Sequence, residues 1–273
     1  MSNRDVVFDE FQNPIVIHNQ DDSIKMRKAG ALASSVLDFI EPHVKEGVTT
    51  DSLDALCNHY ILKNNAIPAP LNYKGFPKSI CTSINHVVCH GIPSPKVLKN
   101  HDIINIDITV ILNGWHGDTS RMFSVGEPKL KAKKLIDITY EAMWKGISIV
   151  KPGNTLGDIG AIIQDFSESS GYSVVRDFCG HGIGKTFHTA PNILHYGKNK
   201  QGIELVEGMF FTIEPMINLG KRDVLILDDG WTAVTRDKQL SAQYEHTIGV
   251  TKTGYEVFTI SAKEKEKGKV FSC

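Results

Sequence analysis

The run IINIDITVILNGWHGDTSRMF, residues 103–123, limits what this chain can fold into more than any other stretch. Asn-Gly favours a two-residue type I′ hairpin, because both central residues of that turn need positive φ. With Asn113 and Gly114 as the loop, Leu112 faces Trp115, Thr109 faces Asp118 and Asp107 faces Ser120. Side chains alternate between the two faces of a strand. Asp107, Thr109, Ile111, His116, Asp118 and Ser120 therefore share one face. Asp107 and Asp118 become diagonal neighbours, about 7–8 Å apart at the backbone. Two carboxylates so placed repel in a half-buried setting unless a cation or proton lies between them. The hairpin alone leaves two readings open. One is a metal ion or ion pair between the acids. The other is a solvent-facing strand with ordinary acids, since Asp also favours turns and strand ends.

Such a hairpin needs helices to cover its apolar face. Residues 22–43 carry Ile24, Ala31, Leu32, Val36, Leu37 and Ile40 at three- and four-residue steps, which predicts an amphipathic helix. A second helix is expected from Asp51, with Leu53, Leu56, Cys57, Tyr60 and Ile61, and a third over 129–149. A fourth opens at Thr155-Leu-Gly-Asp158, which has the capping-box form, and closes at Gly171. The junctions repeat: the segment Val44 to Thr49 matches Val150 to Thr155 at an offset of 106 residues. This reads as an internal duplication, with helices on one side of a curved antiparallel sheet and the other side open for a site. From residue 173 the chain turns strand-like, in SVVRDF, MFFTIEPMI, DVLILDD, WTAVT and HTIGV. The fold class expected is α+β (α/β). Residues 1–20 read as an N-terminal extension, 21–262 as a single domain with an internal pseudo-repeat, and 263–273 as a solvated charged tail.

Composition excludes several functions. The 273 residues carry a net charge of −1 and no basic stripe, which argues against a general nucleic-acid surface. No apolar run approaches the ~20 residues of a membrane helix. The opening MSNRDVVFDEFQNP holds Asp5, Asp9 and Glu10 and no apolar stretch, so neither a secretory signal nor a transit peptide is expected there. Cys57, Cys81, Cys89, Cys179 and Cys273 are odd in number and form no C-x-x-C, which suggests reduced thiols in a cytosol-like compartment. A thiol nucleophile at Cys89 or Cys179 competes with inert buried cysteine, the commoner case.

Two further acids, Glu214 and Glu245, sit in apolar strand-like runs. Buried acids need partners, and four in one chain point to a shared one. Cys179-Gly-His181-Gly-Ile-Gly184 surrounds an imidazole with glycines that let the backbone come close to a ligand. His188 follows, and His90 lies in Cys89-His90-Gly91-Ile92-Pro93. His86, His101, His195 and His246 read as satisfied surface or core residues. The glycine run lacks both phosphate-loop patterns, which sets nucleotide binding aside.

Together, Ile106-Asp107-Ile108-Thr109, His116-Gly117-Asp118-Thr119-Ser120, Gly180-His181-Gly182-Ile183-Gly184, Thr212-Ile213-Glu214-Pro215 and Gln243-Tyr244-Glu245-His246-Thr247 resemble the methionine aminopeptidases. Cys89-His90-Gly91-Ile92-Pro93 and Phe187-His188 resemble the type I branch, and the likeness runs from about residue 20 to 260. The resemblance implies a duplicated pita-bread fold around a central dinuclear metal site. The ligands it implies are Asp107, Asp118, His181, Glu214 and Glu245, holding two divalent ions (Co, Mn, Fe or Zn). It further implies a bridging hydroxide that attacks the first peptide carbonyl, with Glu214 as proton shuttle. His188 would sit on the carbonyl oxygen and His90 on the scissile amide nitrogen. Tyr73, Phe76, Cys81, Phe187 and Trp231 would wall the methionine pocket. Pro70 and Phe76 depart from the commoner residues there, which bears on pocket width. A monovalent cation held by carbonyls of Asn85, Val87 and the Ser241 region is implied as well.

The partners implied are nascent polypeptides with N-terminal Met and, transiently, the ribosome. The expectation is a cytoplasmic monomer with no specific nucleic acid and no membrane. A proline-specific aminopeptidase or dipeptidase of the same fold is the nearer alternative. A non-catalytic binding relative is the farther one, and such proteins typically lose ligands that this chain retains.

Overall fold

The computed structural model describes residues 7–266. Its helices are α1 (Gln20–Ile40), α2 (Thr50–Lys63), α3 (Leu130–Ser148), α4 (Leu156–Ser169) and the short α5 (Ala262–Glu266). The predicted capping box of α4 is present: the Thr155 side chain accepts from Asp158 N while the Asp158 carboxylate accepts from Thr155 N. Thr49 caps α2 at the equivalent place in the first half. The repeated residues thus do the same job twice, ending one connection and opening one helix.

The central hairpin pairs Ile103–Leu112 with Trp115–Ser124 in the expected register, with Leu112 opposite Trp115 and Asp107 opposite Ser120. Asn113 (φ 51°) and Gly114 (φ 79°) take the positive φ that the turn demands. The second half builds an equivalent pair in two pieces. Phe210–Ile213 pairs with His246–Val250, and Met216–Asn218 with Ser241–Gln243. Both pieces keep one register, in which Glu214 falls opposite Glu245 at the interruption. These acids were expected inside strands; they sit instead at the shared break, where side chains are released from the pleat. Hydrogen bonds join the two pairs: Asn105 Nδ2 donates to Gln243 O (2.8 Å) and Thr119 Oγ1 to Glu245 O (2.7 Å).

Alternation decides which face is covered. Ile104, Ile106, Ile108 and Val110 pack with Leu37, Ile40, Leu53, Cys57 and Ile61 of α1 and α2. Phe211, Ile213, Ile248 and Val250 pack with Met143, Ile147, Ile159 and Ile163 of α3 and α4. The intervening positions, Asp107, Thr109, Thr212 and Glu214, therefore point away from the helices. This is the open side the duplication predicted.

One glycine sets how closely helix and sheet approach. A Cβ on Gly117 would lie 2.4 Å from both the carbonyl carbon and oxygen of Ala29 in α1. Backbone cannot move aside as a side chain can. Gly117→Ala is expected to lower the unfolding free energy by about 2–4 kcal/mol in urea titrations of metal-free protein; an unchanged midpoint would contradict this packing.

Both ends differ from expectation where they are described. Val7–Phe8 pairs with Pro14–Ile15, and Ile15 is buried in the second-half core, so this segment is packed onto the domain. Glu264 is buried as well, against a predicted solvated tail. Glu264 lies 3.3 Å from His246 Nε2 and 3.6 Å from Arg121 Nη2. Burial alone would raise its pKa, but His246 and Arg121 outweigh that and hold the carboxyl down to about 2. Residues 1–6 of the extension and 267–273 of the tail lie outside the described residues. Among the described residues no helix is long and apolar enough to cross a membrane.

Candidate metal centre

Four acids and one imidazole converge on the open side. Asp107 and Asp118 come from the first strand pair, and Glu214 and Glu245 from the break in the second. His181 comes from the short strand Gly180–Gly182, whose Gly182 pairs with Phe211. Glycine is needed beside it: a Cβ on Gly180 would sit 2.3 Å from Thr212 O and one on Gly182 2.1 Å from Ala190 O. His181 Nε2 lies 3.6 Å from Asp118 Oδ2 and 3.7 Å from Glu214 Oε1. Ligand atoms of Asp118, His181 and Glu245 all lie within 4.8 Å of one another. Asp107 and Glu214 line the same cavity, about 370 Å³ in volume.

The electrostatics call for a cation. Glu214 accepts from Thr212 Oγ1 (2.8 Å) and Gln243 Nε2 (3.2 Å), and Asp118 from Thr109 Oγ1 (2.7 Å). Asp107 Oδ1 is buried with no hydrogen-bond partner. Burial raises the Asp107 carboxyl to about 7 and, with the Asp107 charge adding, Glu214 to about 8. Burial and the neighbouring carboxylates push Asp118 and Glu245 well above the usual range. Burial moves His181 the other way, to about 4, so its imidazole is neutral at pH 7. Its Nδ1 donates to Gly182 O (3.1 Å), which leaves the Nε2 lone pair aimed at the carboxylates. Lone pairs and anions pointed at one another repel. A divalent ion reverses the sign of each contact, and two ligand atoms each about 2.1 Å from a metal lie about 3–3.5 Å apart. Asp118, His181 and Glu245 bring their donor atoms close enough to share a divalent ion, and Asp107 and Glu214 line the same cavity.

Every pocket residue named from the sequence lines this cavity: Tyr73, Phe76, Cys81, His90, Phe187, His188 and Trp231. Phe76 meets Trp231 edge to face at 5.2 Å. His90 has φ 56° and its ring meets Phe178 at 5.4 Å. His188 lies 4.2 Å from the His181 ring, and its Nδ1 is 2.9 Å from Tyr73 Oη. His188 is exposed to the cavity mouth, yet the groups packed round its ring and the His181 and His90 rings lower its pKa.

Some contributors were not read from the sequence. Phe178 and Met216 line the cavity. Met216 was accessible to reasoning, since it continues the Thr212, Glu214 alternation. His116 stacks on Phe187 at 5.5 Å. His195, expected to be a satisfied surface or core residue, is a buried one whose Nε2 accepts from Glu214 N (3.0 Å), so it braces the Glu214 backbone. Of the residues expected around a monovalent cation, Asn85 and Ser241 do meet, with Ser241 N donating to Asn85 O (2.8 Å).

Known proteins resemble the chain in sequence and fold. The model of metallopeptidase family M24 matches residues 24–252. A methionine aminopeptidase of Rickettsia prowazekii is 64% identical over 251 residues, covering 92% of this chain and 97% of that protein. One from Escherichia coli K12 is 53% identical over 248 residues, covering 90% and 94%. A crystal structure of methionine aminopeptidase from Rickettsia prowazekii superposes with a TM-score of 0.90, at 64% identity, covering 90% of this chain and 100% of that one. Prolidase from Pyrococcus furiosus, 22% identical with a TM-score of 0.71, shares the fold over 90% of this chain and 65% of its own. The chain belongs to metallopeptidase family M24 and, within it, to the methionine aminopeptidases.

Proposed function

We propose that this chain hydrolyses the first peptide bond of polypeptides that begin with methionine followed by a small residue. The observation that supports this most is the joining of two environments in one cavity: a floor of four acids and His181, and apolar walls of Phe76, Cys81, Phe187 and Trp231. A thioether packs well against aromatic and sulfur groups, and a closed apolar slot accepts an unbranched chain.

Asp107, Asp118, His181, Glu214 and Glu245 would hold the divalent ions. Bound there, such ions lower the pKa of water and polarise a carbonyl. The protein's own groups do the rest. Glu214 can take a proton from the attacking water and pass it to the leaving amine, because its carboxylate stands on the cavity floor within reach of both. His188 donates to the carbonyl oxygen as negative charge gathers on it. His90 contacts the amide nitrogen that becomes the new N-terminus. Phe76, Trp231 and Cys81 hold the methionine side chain still, which fixes the carbonyl over the acids.

The oxygen-rich set with one imidazole does not select sharply among Co, Mn, Fe and Zn. A free α-amine is needed, so a formylated terminus must be deformylated first. Nascent chains near the ribosome are the proposed substrates, met transiently by a cytoplasmic monomer. A monovalent cation on the Asn85, Val87 and Ser241 carbonyls would stiffen the strands behind His90.

Competition between peptides tests the reading. Met-Ala-Ser is expected to be cleaved with kcat/KM at least about 10²-fold above that of Ala-Pro or Val-Ala-Ser. Preference for Ala-Pro would move the chain to the proline-specific branch. A metal-loaded sample that cleaves no Met peptide would make it a binding protein.

A further inference from the structure

Tyr73 was placed as a wall of the methionine pocket, a role phenylalanine could fill. The turn that carries it is built more strictly than a wall requires. Asn72 (φ 66°), Lys74 (φ 48°) and Gly75 (φ 90°) all adopt left-handed conformations around Tyr73. Such conformations are unfavourable for residues with a Cβ and persist only where the surroundings impose them. Here Asn72 N donates to Phe76 O (2.8 Å), Tyr73 N to Pro70 O (2.9 Å) and Phe76 N to Tyr73 O (2.9 Å). The product of this tight loop is one contact across 115 residues of chain: Tyr73 Oη at 2.9 Å from His188 Nδ1.

We infer that Tyr73 is a positioning residue for the hydrolysis proposed above: its hydroxyl donates to His188 Nδ1 and thereby fixes the His188 proton on Nε2. The inference rests on that functional reading. A neutral imidazole carries one donor nitrogen and one acceptor. With Nδ1 occupied as acceptor, Nε2–H is the donor left for the cavity that His188 lines. A carbonyl oxygen gaining negative charge needs a donor there. The opposite tautomer would present a lone pair to that oxygen. The ring is further fixed in place by Phe187 at 3.9 Å and His181 at 4.2 Å.

Tyr73→Phe separates the hydroxyl from the ring. On Met-Ala-Ser, kcat is expected to fall about tenfold, the effect of one lost hydrogen bond. KM should stay within about twofold and bound metal per chain should not change. Nitrogen-15 NMR of imidazole-labelled, zinc-loaded protein supplies the second readout. His188 should show the Nε2–H form in the wild type and a tautomer mixture in the variant. Unchanged kcat with raised KM would reduce Tyr73 to a wall, and an Nδ1–H form of His188 in the wild type would overturn the inference even if the variant misfolds. If the wild type cleaves no Met peptide, the functional reading fails instead, and the tautomer measurement still decides the contact.

Discussion

Removing divalent cations with a chelator is expected to abolish cleavage of Met-Ala-Ser and to lower the thermal midpoint by about 5–10 °C. Adding back manganese should restore both. The size follows from linkage: a ligand at one hundred times its dissociation constant stabilises the native state by about 2.7 kcal/mol, and each kcal/mol moves the midpoint of a domain this long by about 2–4 °C. The structural cause is the carboxylate cluster, in which Asp107 Oδ1 is buried without a hydrogen-bond partner and His181 Nε2 faces Asp118 at 3.6 Å. Asp118→Asn removes one charge at the centre of the set and should lower both bound metal per chain and rate. A chelated protein that keeps its activity, or an Asn variant that binds metal as the wild type does, would refute the site.

The pH dependence of the metal-free protein has a definite sign. Burial raises Asp107 to about 7 and Glu214 to about 8, and pushes Asp118 and Glu245 up as well. In the unfolded chain these groups titrate near pH 4. Between about pH 4 and 8 the native state therefore binds more protons than the unfolded one, and stability falls as pH rises through that window. Glu264, held down to about 2, acts in the opposite sense but below it. Metal binding requires deprotonated ligands, so its stabilisation grows with pH. Thermal scans of chelated and manganese-loaded protein at pH 5 and 8 should show the gap widening toward pH 8. A gap that narrows would mean the acids are not the ligands.

How much of this was legible in the sequence depends on the range of each interaction. The hairpin register was fixed locally, because Asn113-Gly114 admits one turn type and period-two alternation then assigns every face. The α4 cap was equally local. The alignment of Glu214 with Glu245 was not, since each sits at a break that only the partner strand's register reveals. The resemblance supplied the ligand set; alternation alone supplied Asp107 with Asp118. The burial of Glu264 was hidden because its partners, Arg121 and His246, lie far away in sequence, and a run of Lys and Glu carries no apolar period. The strand Gly180–Gly182 escaped for a related reason: three residues, two of them glycine, show no strand pattern, and the sheet is held there by the neighbouring Phe211.

Replacing His188 or His90 should leave metal bound and remove turnover. Loss of one donor to a developing oxyanion typically costs about 10²–10³ in kcat, and His188→Ala is expected in that range with little change in KM. His188 packs at 4.2 Å from the His181 ring, so metal content must be measured alongside rate. Metal content as in the wild type with lost turnover marks a residue that touches substrate; loss of both would mean that His188 merely supports His181. His90 needs a different substitution. Its φ of 56° is unfavourable for alanine but tolerated by asparagine, which also keeps a polar tip. His90→Asn should fold with unchanged stability and lose about 10²-fold in kcat, whereas His90→Ala adds backbone strain to the chemical loss. Edge contacts with Phe178 and Trp231 fix the orientation of the imidazole in the cavity that all three rings line. A full rate of Met-Ala-Ser cleavage by His90→Asn would remove His90 from the mechanism and leave His188 and the acids to carry it.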